Sequence, residues 1–312
     1  DHVKHYKSMN NINFLGLHDS NPERGNEIAK KYETKYFENV FNLMEACDGL
    51  SIVTPTESHY DVAKIALNEF GCNVFIEKPI TETISQADDL IDHAQKNNLI
   101  IQVGHIERLN PALKALEKYD INPKFIDIQR LAPYTVRGTD VPVVLDLMIH
   151  DIDILLSLVK SKVKSIHASG VSILTNSVDI AHARIRFENG TVSSVTASRV
   201  AKDKVRKIKI FQDNLYSTID LLLEQSEVYK ITRDPNLIEN ALQVEPFPDN
   251  NKKNYIVYEK PKIKNYDSLR EELNNFVNSI LKIENPIVNG IEARNALEVV
   301  IKINDMILED LK

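Results

Sequence analysis

The 312-residue sequence predicts an α/β fold, with a doubly wound parallel sheet followed by an α+β domain that contains a large, mostly antiparallel sheet. Two observations lead to this prediction. Up to about residue 104, short apolar runs alternate with helical stretches of about 10–15 residues, which is typical of βαβ units. From about residue 124, strand-like runs follow one another with few helices between them. We therefore expect two domains, at 1–121 and 122–312.

The first domain is expected to contain alternating helices and strands. Pro22 favours the first turn of one helix, and Gly71 favours the end of another. The strands are predicted at 13–18, 49–54, 73–77 and 99–104, and the helices at 1–10, 22–32, 57–70 and 85–98.

The second domain is expected to be mostly β-structure. Asn189-Gly190 lies between two alternating runs and predicts a hairpin turn. Residues 245–265 are polar and contain prolines, as in a linker, and 291–311 form an amphipathic helix that we expect to pack back on the first domain. The strands are predicted at 124–131, 164–169, 179–190, 191–198, 206–212 and 214–222.

Composition narrows the function classes. The formal net charge of −7 argues against a nucleic-acid partner, because phosphate binding depends on concentrated Lys and Arg, although a small cationic pocket stays open. No apolar run approaches the roughly 20 residues that a membrane helix needs, so we expect no membrane contact. The sequence opens on polar residues without a signal peptide, and its two cysteines are Cys47 and Cys72. Reduced thiols and a cytoplasmic location are therefore predicted.

Asp19 indicates a dinucleotide-binding site. In Rossmann-type folds an acidic residue at the end of the second strand binds the adenosine ribose, about 20 residues after a glycine-rich turn. Asp19 directly follows the strand at 13–18, so we expect the first strand and the glycine loop to lie outside this sequence. Asp19 favours NAD over NADP, although Arg24 keeps NADP open. A helix N-cap is an alternative role for Asp19, and the two roles are compatible.

Four segments make the sequence resemble the glucose–fructose oxidoreductase/inositol dehydrogenase (Gfo/Idh/MocA) family over essentially its whole length. They are "IVTPTESHYDVAKIAL", "FIEKPI", "VGHIERLNPAL" and "LDLMIHDID". Glu77-Lys78-Pro79 is the most specific element. The later segments "SVDIAHARIRFENG", "TASRV" and "RKIKIFQ" resemble the branch that acts on UDP-N-acetylglucosamine. This resemblance implies NAD-dependent oxidation of the sugar at C3 to a 3-keto product.

The resemblance implies a catalytic set of Lys78, Asp146 and His150. Removing hydride from a secondary alcohol also requires a base for the hydroxyl proton, and His suits that task at neutral pH. On a helix, Asp146, His150 and Asp153 would share one face, whereas Asp151 would point away into solvent. The alternatives are a capped helix with a satisfied histidine, and for Lys78 a solvated loop position. "LMI" replaces the glycine that relatives often place between Asp146 and His150.

Further binding residues are implied less directly. Thr54, Pro55, His59 and Glu77 are expected near the cofactor together with Asp19 and Lys78, although His59 also suits a helix-start contact. On the substrate side we expect His105, Glu107, Arg137, Asp146 and Arg199, with Arg130 and Arg206 as further cations for a diphosphate. No metal-ligand spacing occurs, so no metal is expected.

Three functions remain open at the level of sequence. The first is oxidation of UDP-N-acetylglucosamine, and the second is oxidation of another sugar or a cyclitol. The third is a non-catalytic NAD-binding regulator, because the fold also serves galactose control in yeast; an intact acid/base set argues against it. The apolar face of the second sheet predicts a homodimer or homotetramer.

Overall fold

The computed structural model describes residues 1–135, 141–248 and 254–312. The chain divides into two compact units, of which the first comprises Asp1–Ile106 and Asp267–Leu297. The second comprises Glu107–Tyr266 and Glu298–Lys312. The domain limits predicted at 121 and 122 stay a prediction.

Parallel strands form the sheets of the first unit, as the sequence predicts. Strand β1 (Gly16–Leu17) pairs with β2 (Lys35–Tyr36). Strands β3 (Gly49–Ile52), β4 (Asn73–Glu77) and β5 (Ile101–Gly104) form a second sheet in that order. The helices of this unit are α1 (His2–Lys7), α2 (Pro22–Lys31), α3 (Val40–Ala46), α4 (His59–Asn68), α5 (Ile84–Lys96) and α9 (Ser268–Ile280).

Local sequence explains where these helices begin and end. Helix α2 starts with Pro22 in its first turn, and the Asn21 side chain accepts a hydrogen bond from the Arg24 N–H. Helix α5 starts with a capping box of Thr83 and Gln86. Gly71 follows α4 with a φ of +64°, a conformation that glycine adopts without steric cost.

Strand β4 is the buried centre of the three-stranded sheet. Val74, Phe75 and Ile76 are all fully buried, as expected for a parallel strand covered on both faces. The Phe75 ring packs edge-on against Phe276 of α9, with 5.8 Å between the ring centroids. The end of β4, and with it Lys78, is therefore held by a well-packed core.

Within the described residues, nine strands of the second unit form one sheet. Its order is β13-β14-β12-β11-β10-β6-β9-β8-β7, and only the β6–β9 pair is parallel. The mostly antiparallel prediction is thus confirmed, as is the hairpin at Asn189-Gly190. The strands are β6 (Phe125–Leu131), β7 (Val163–Val171), β8 (Ile180–Phe187), β9 (Val192–Ser198), β10 (Val205–Gln212), β11 (Leu215–Asp220), β12 (Gln225–Thr232), β13 (Gln243–Pro246) and β14 (Tyr255–Glu259).

The prediction that residues 245–265 form a linker is wrong. Part of that region forms β13 and β14, which pair with each other and extend the sheet through β12. Strand β13 is exposed throughout and ends at a proline, which only an edge strand tolerates. Such a strand lacks the apolar alternation on which the prediction depended.

Four further α-helices lie in the described residues. They are α6 (Pro111–Lys114), α7 (Ile149–Val159), α8 (Pro235–Glu239) and α10 (Gly290–Asp310), the last of which confirms the predicted C-terminal helix. A π-helical turn over Val144–Met148 leads into α7. No helix among the described residues is long and apolar enough to cross a membrane.

The two faces of the nine-stranded sheet differ. On one face Ile126, Ile128, Ile208 and Ile210 are fully buried or nearly so, and α7 packs against β6. The other face carries a row of aromatic rings with neighbouring centroids 4.8–5.9 Å apart. The row consists of Phe125, Phe211, Tyr216, Tyr229 and Tyr258.

Asp179, just before β8, provides a test of this fold. Burial by itself would raise the pKa of its carboxyl, but the N–H groups of Leu174, Ile173 and Thr175 and the Thr175 hydroxyl donate to it and hold its pKa at about 2. Because the pKa lies below its usual 3.8, the carboxylate stabilises the fold above that pH and ceases to do so as the pH falls towards 2.

We expect Asp179→Asn to lower the free energy of unfolding at pH 7 by about 2 kcal/mol. The difference from the wild-type protein should shrink between pH 4 and pH 2, because protonation removes the same charge from the wild type. Urea denaturation at several pH values measures both effects. Asp203→Asn, at an exposed loop position, is the control and should change neither value. A difference that stays constant down to pH 2 would contradict the assignment.

Candidate active site

The ends of two neighbouring parallel strands bring several predicted residues of the first unit together. Thr54 and Pro55 follow β3, and Lys78 follows β4. The carboxyl ends of parallel strands are where open α/β sheets bind ligands. The Lys78–Pro79 peptide bond is cis, and the Lys78 N–H donates to Glu77 Oε2 at 3.3 Å.

His59 connects these two strand ends. It is the first residue of α4 and only 1% exposed. Its Nδ1 lies 2.8 Å from the carbonyl oxygen of Pro79, and its Nε2 lies 2.9 Å from that of Thr54. These contacts do not cap α4, because both partners are carbonyl oxygens; they join the end of β3 to the Lys78 segment.

Asp19 follows β1 and makes short-range contacts. Its Oδ1 accepts the N–H of Asn21 at 2.9 Å, and its Oδ2 lies 3.4 Å from Arg24 Nε. Asn21 itself caps α2, so Asp19 is not the N-cap. Its side chain is 28% exposed, which leaves carboxylate lone pairs available to a ribose hydroxyl.

The environment of Glu77 fits a closely approaching ligand. Gly104 ends β5 beside Glu77. An added Cβ at Gly104 would lie only 3.0 Å from Glu77 Oε2, so the absence of a side chain at Gly104 leaves room for the Glu77 carboxylate. On its other side, Glu77 Oε1 lies 3.3 Å from His2 Nε2. Together with Asp19, this arrangement of acceptors at strand ends fits a dinucleotide.

In the second unit, Asp146 lies in the π-helical turn and His150 in the first turn of α7. Both side chains are half-buried, whereas Met148 and Ile149 between them are fully buried. The sequence predicted a regular helix here. The wider π turn, a feature that often occurs at functional sites, changes the rotation between Asp146 and His150.

Asp151 is not solvated, contrary to the sequence-based expectation. It is 1% exposed, and Arg130 Nε lies 3.0 and 2.9 Å from its two carboxylate oxygens. Arg130, itself 2% exposed, also donates from Nη1 to Glu107 Oε1 at 3.1 Å. Arg206 Nη1 donates to the same oxygen at 2.9 Å.

Charge and burial oppose each other in this group. Burial by itself would lower the pKa of the Arg130 guanidinium, but Asp151 and Glu107 raise it above its ordinary value. Burial likewise raises the pKa of the Asp151 carboxyl, and Arg130 acts against that rise. Donation to both carboxylate oxygens is the geometry of an ionised pair, so we treat Arg130 and Asp151 as charged.

A second ion pair holds Asp153, which the sequence placed on the same face as Asp146 and His150. Asp153 is 1% exposed, and its two oxygens lie 2.7 and 2.9 Å from Arg108 Nε and Nη2. Among the polar side chains of "LDLMIHDID", Asp146 and His150 are the half-buried ones. The two buried pairs were not predicted. The available signal was the charged residues of "HDID" and "HIER", which lie between apolar residues in the sequence.

Comparisons with known proteins place the chain in a family. Residues 1–105 match a family model described as "Oxidoreductase family, NAD-binding Rossmann fold", and residues 132–214 match the GFO/IDH/MocA C-terminal domain. UDP-N-acetylglucosamine 3-dehydrogenase from Acidithiobacillus ferrooxidans is 31% identical over 97% of this chain and 91% of its own. The chain belongs to the Gfo/Idh/MocA family of oxidoreductases.

Solved structures and a second relative are also similar to this chain. A structure of the A. ferrooxidans enzyme superposes with a TM-score of 0.88 at 30% identity, covering 100% of this chain and 94% of that one. Myo-inositol 2-dehydrogenase from Thermotoga maritima is 23% identical over 95% of this chain and 89% of its own. A probable dehydrogenase from the same organism has a TM-score of 0.78 at 21% identity, covers 99% of this chain and 93% of that one, and shows the shared fold alone.

The other predicted residues of this Gfo/Idh/MocA protein lie in different surroundings. His105 is 1% exposed just after β5. Arg199 is 7% exposed and contacts both Asp179 and the carbonyl oxygen of Val141. Arg137 lies outside the described residues. The substrate roles of His105, Glu107, Arg137 and Arg199 stay predictions. No cluster of three or more His, Cys, Asp or Glu residues suited to a metal ion occurs in the described ranges.

The buried ion pair predicts a contrast between two substitutions. Asp151→Asn leaves the Arg130 charge buried with a weaker partner, so we expect the free energy of unfolding to fall by about 3 kcal/mol or more. Arg206→Gln removes a contact whose cation is 42% exposed, so its cost should stay below about 1 kcal/mol. Urea denaturation of both variants tests this, and equal losses would contradict the distinction.

Proposed function

We propose that this protein oxidises the C3 hydroxyl of UDP-N-acetylglucosamine to a 3-keto sugar, with NAD as the hydride acceptor. One geometric observation carries the proposal: Arg130 and Arg108 pin the aspartates beside His150, while Asp146 and His150 remain accessible. The similarity to UDP-N-acetylglucosamine 3-dehydrogenase over nearly the whole chain supports this choice of substrate.

NAD is favoured over NADP by the surroundings of Asp19. Its carboxylate can accept hydrogen bonds from ribose hydroxyls and would repel a 2′-phosphate. Arg24, the nearby cation that kept NADP open, is 73% exposed and lies with its Nε 3.4 Å from Asp19. Part of its charge is therefore offset by the same carboxylate.

The proton chemistry is assigned to three side chains. When bound, NAD supplies the electrophilic carbon that accepts hydride. His150 takes the proton of the sugar hydroxyl, and Asp146 hydrogen-bonds the substrate or holds His150 in the required tautomer. Lys78 donates a hydrogen bond to the hydroxyl oxygen and stabilises the negative charge that develops on it.

His150→Ala tests the assigned base. We expect turnover with NAD and UDP-N-acetylglucosamine to fall about 10²–10⁴-fold, because the assigned base is removed. The dissociation constant for NAD should stay nearly unchanged. Steady-state kinetics and calorimetry measure the two quantities. His167→Ala, at an exposed position on β7, is the control and should behave as the wild type.

Three results would overturn these assignments. An unchanged rate for His150→Ala would remove His150 from the mechanism. Reduction of NAD by free hexoses or inositol, with none by the nucleotide sugar, would favour the dehydrogenase of another sugar or cyclitol. NAD binding without turnover of any of these compounds would favour a regulator of the same fold.

We also propose that two copies of the chain associate through the open face of the nine-stranded sheet. The aromatic row on this face includes Phe125 and Phe211, which are 38% and 40% exposed. An apolar strip of this kind is unfavourable in water and becomes stable when a second copy covers it. In such a dimer, the aromatic row of each copy would pack against the same face of the other copy.

Phe211→Glu should convert the oligomer to a monomer, because the carboxylate would have to be buried in the interface. Sedimentation velocity measures the change. Phe41→Glu, at a residue that is 45% exposed in the first unit, is the matched control and should leave the sedimentation coefficient unchanged. A wild-type protein that is already monomeric would contradict the proposed interface.

A further inference from the structure

His59 joins two backbone segments that the proposed chemistry requires to be fixed. Its ring lies within 2.9 Å of the carbonyl oxygens of Thr54 and Pro79, one after β3 and one after β4. Both contacts are inside the first unit, and the ring is 1% exposed. The ring therefore bridges the two strand ends at a position shielded from bulk solvent.

The chemistry of the contacts limits what His59 can do. Carbonyl oxygens only accept hydrogen bonds, so each contact is a hydrogen bond only when the facing ring nitrogen carries a hydrogen. A neutral ring donates to one of the two carbonyls, and an imidazolium donates to both. In either form the ring nitrogens are directed at the protein backbone, which leaves them poorly placed to bind a cofactor.

The bridge reaches the backbone immediately next to Lys78. Pro79, whose carbonyl it contacts, follows Lys78 directly, and Ile80 after it is fully buried. On the other side, the Lys78 N–H donates to the Glu77 carboxylate. The backbone of Lys78 is thus held on both sides, which limits the positions that its ammonium group can reach.

We propose that His59 is a positioning residue, which fixes the Lys78 segment against the end of β3 and so places the Lys78 ammonium group for the reaction. This role differs from the direct cofactor contact expected from the sequence. Its catalytic consequence rests on the proposed function, whereas the bridge itself depends only on the contacts of the first unit.

His59→Phe tests the proposal, because phenylalanine fills a similar volume and donates no hydrogen bond. His59→Gln is the conservative variant, since its amide retains donors. His93→Phe, at a partly exposed position on α5, is the matched control. The first measurement is the rate at which limiting acetic anhydride acetylates Lys78, followed by mass spectrometry and normalised to the exposed Lys96.

In His59→Phe the normalised acetylation rate of Lys78 should rise at least about threefold, because the loosened segment exposes the amine. Turnover should fall about 10–100-fold, since small displacements of catalytic groups are costly. The KM for NAD should change less than about threefold, because the change affects positioning and leaves cofactor contacts in place. His59→Gln should return both the acetylation rate of Lys78 and the turnover most of the way to the wild-type values, and His93→Phe should match the wild type.

Two outcomes would overturn the proposal. One is unchanged Lys78 acetylation and turnover in a folded His59→Phe protein. Another is a large rise in the KM for NAD at unchanged kcat, which would make His59 a direct cofactor contact. If the wild type oxidises no nucleotide sugar but the acetylation difference persists, the proposed function fails and the bridge stands.

A measurement on the wild-type protein covers the case in which His59→Phe does not fold. Proton–nitrogen NMR should show at least one ring N–H of His59 that exchanges slowly with solvent, assigned by its loss in His59→Gln. Slow exchange follows from a buried hydrogen bond to a carbonyl. Absence of any protected ring proton would overturn the proposal as well.

Discussion

The contact on which the second unit most depends is the buried pair of Arg130 and Asp151. Arg130 comes from β6 and Asp151 from α7, so the pair joins the sheet to the helix that carries His150. Directional hydrogen bonds fix the rotation of α7 more narrowly than apolar packing alone. A second pair, Arg108 with Asp153, holds the same helix at a neighbouring point. Asp146 and His150, which lie close to these pairs in the chain, are half-buried.

Much of the fold was predictable because hydrophobic periodicity determines burial. The four strands expected in the first unit and the strands from β6 to β11 were found, as were the C-terminal helix and the Asn189-Gly190 hairpin. Strands β12, β13 and β14 were missed; of these, β13 is the exposed edge strand, and a strand with so little burial has no periodic signal. Strand β2, only two residues long, carries too little sequence for a pattern.

The candidate site was predictable only in part. The resemblance, together with residue type and position, pointed to Lys78, Asp146 and His150, and their catalytic roles stay predictions. The burial of Asp151 was not predicted, because spacing along one helix does not show that Arg130 of β6 faces this residue. Gly104 was also missed: its requirement follows from the nearby Glu77 carboxylate, which contact geometry shows and sequence order does not. In both cases the environment of the residue depends on a partner that is distant in the sequence, and local sequence patterns do not reveal such partners.

The most direct test of the proposed reaction is isotope transfer from UDP-N-acetylglucosamine that carries deuterium at C3. Incubation with NAD, followed by mass spectrometry of the reduced cofactor, reports which carbon supplies the hydride. If C3 is oxidised, the deuterium appears in the reduced NAD, and the rate falls through the isotope effect when hydride transfer limits turnover. Reduced NAD without deuterium, or no reduction at all, would contradict oxidation at C3.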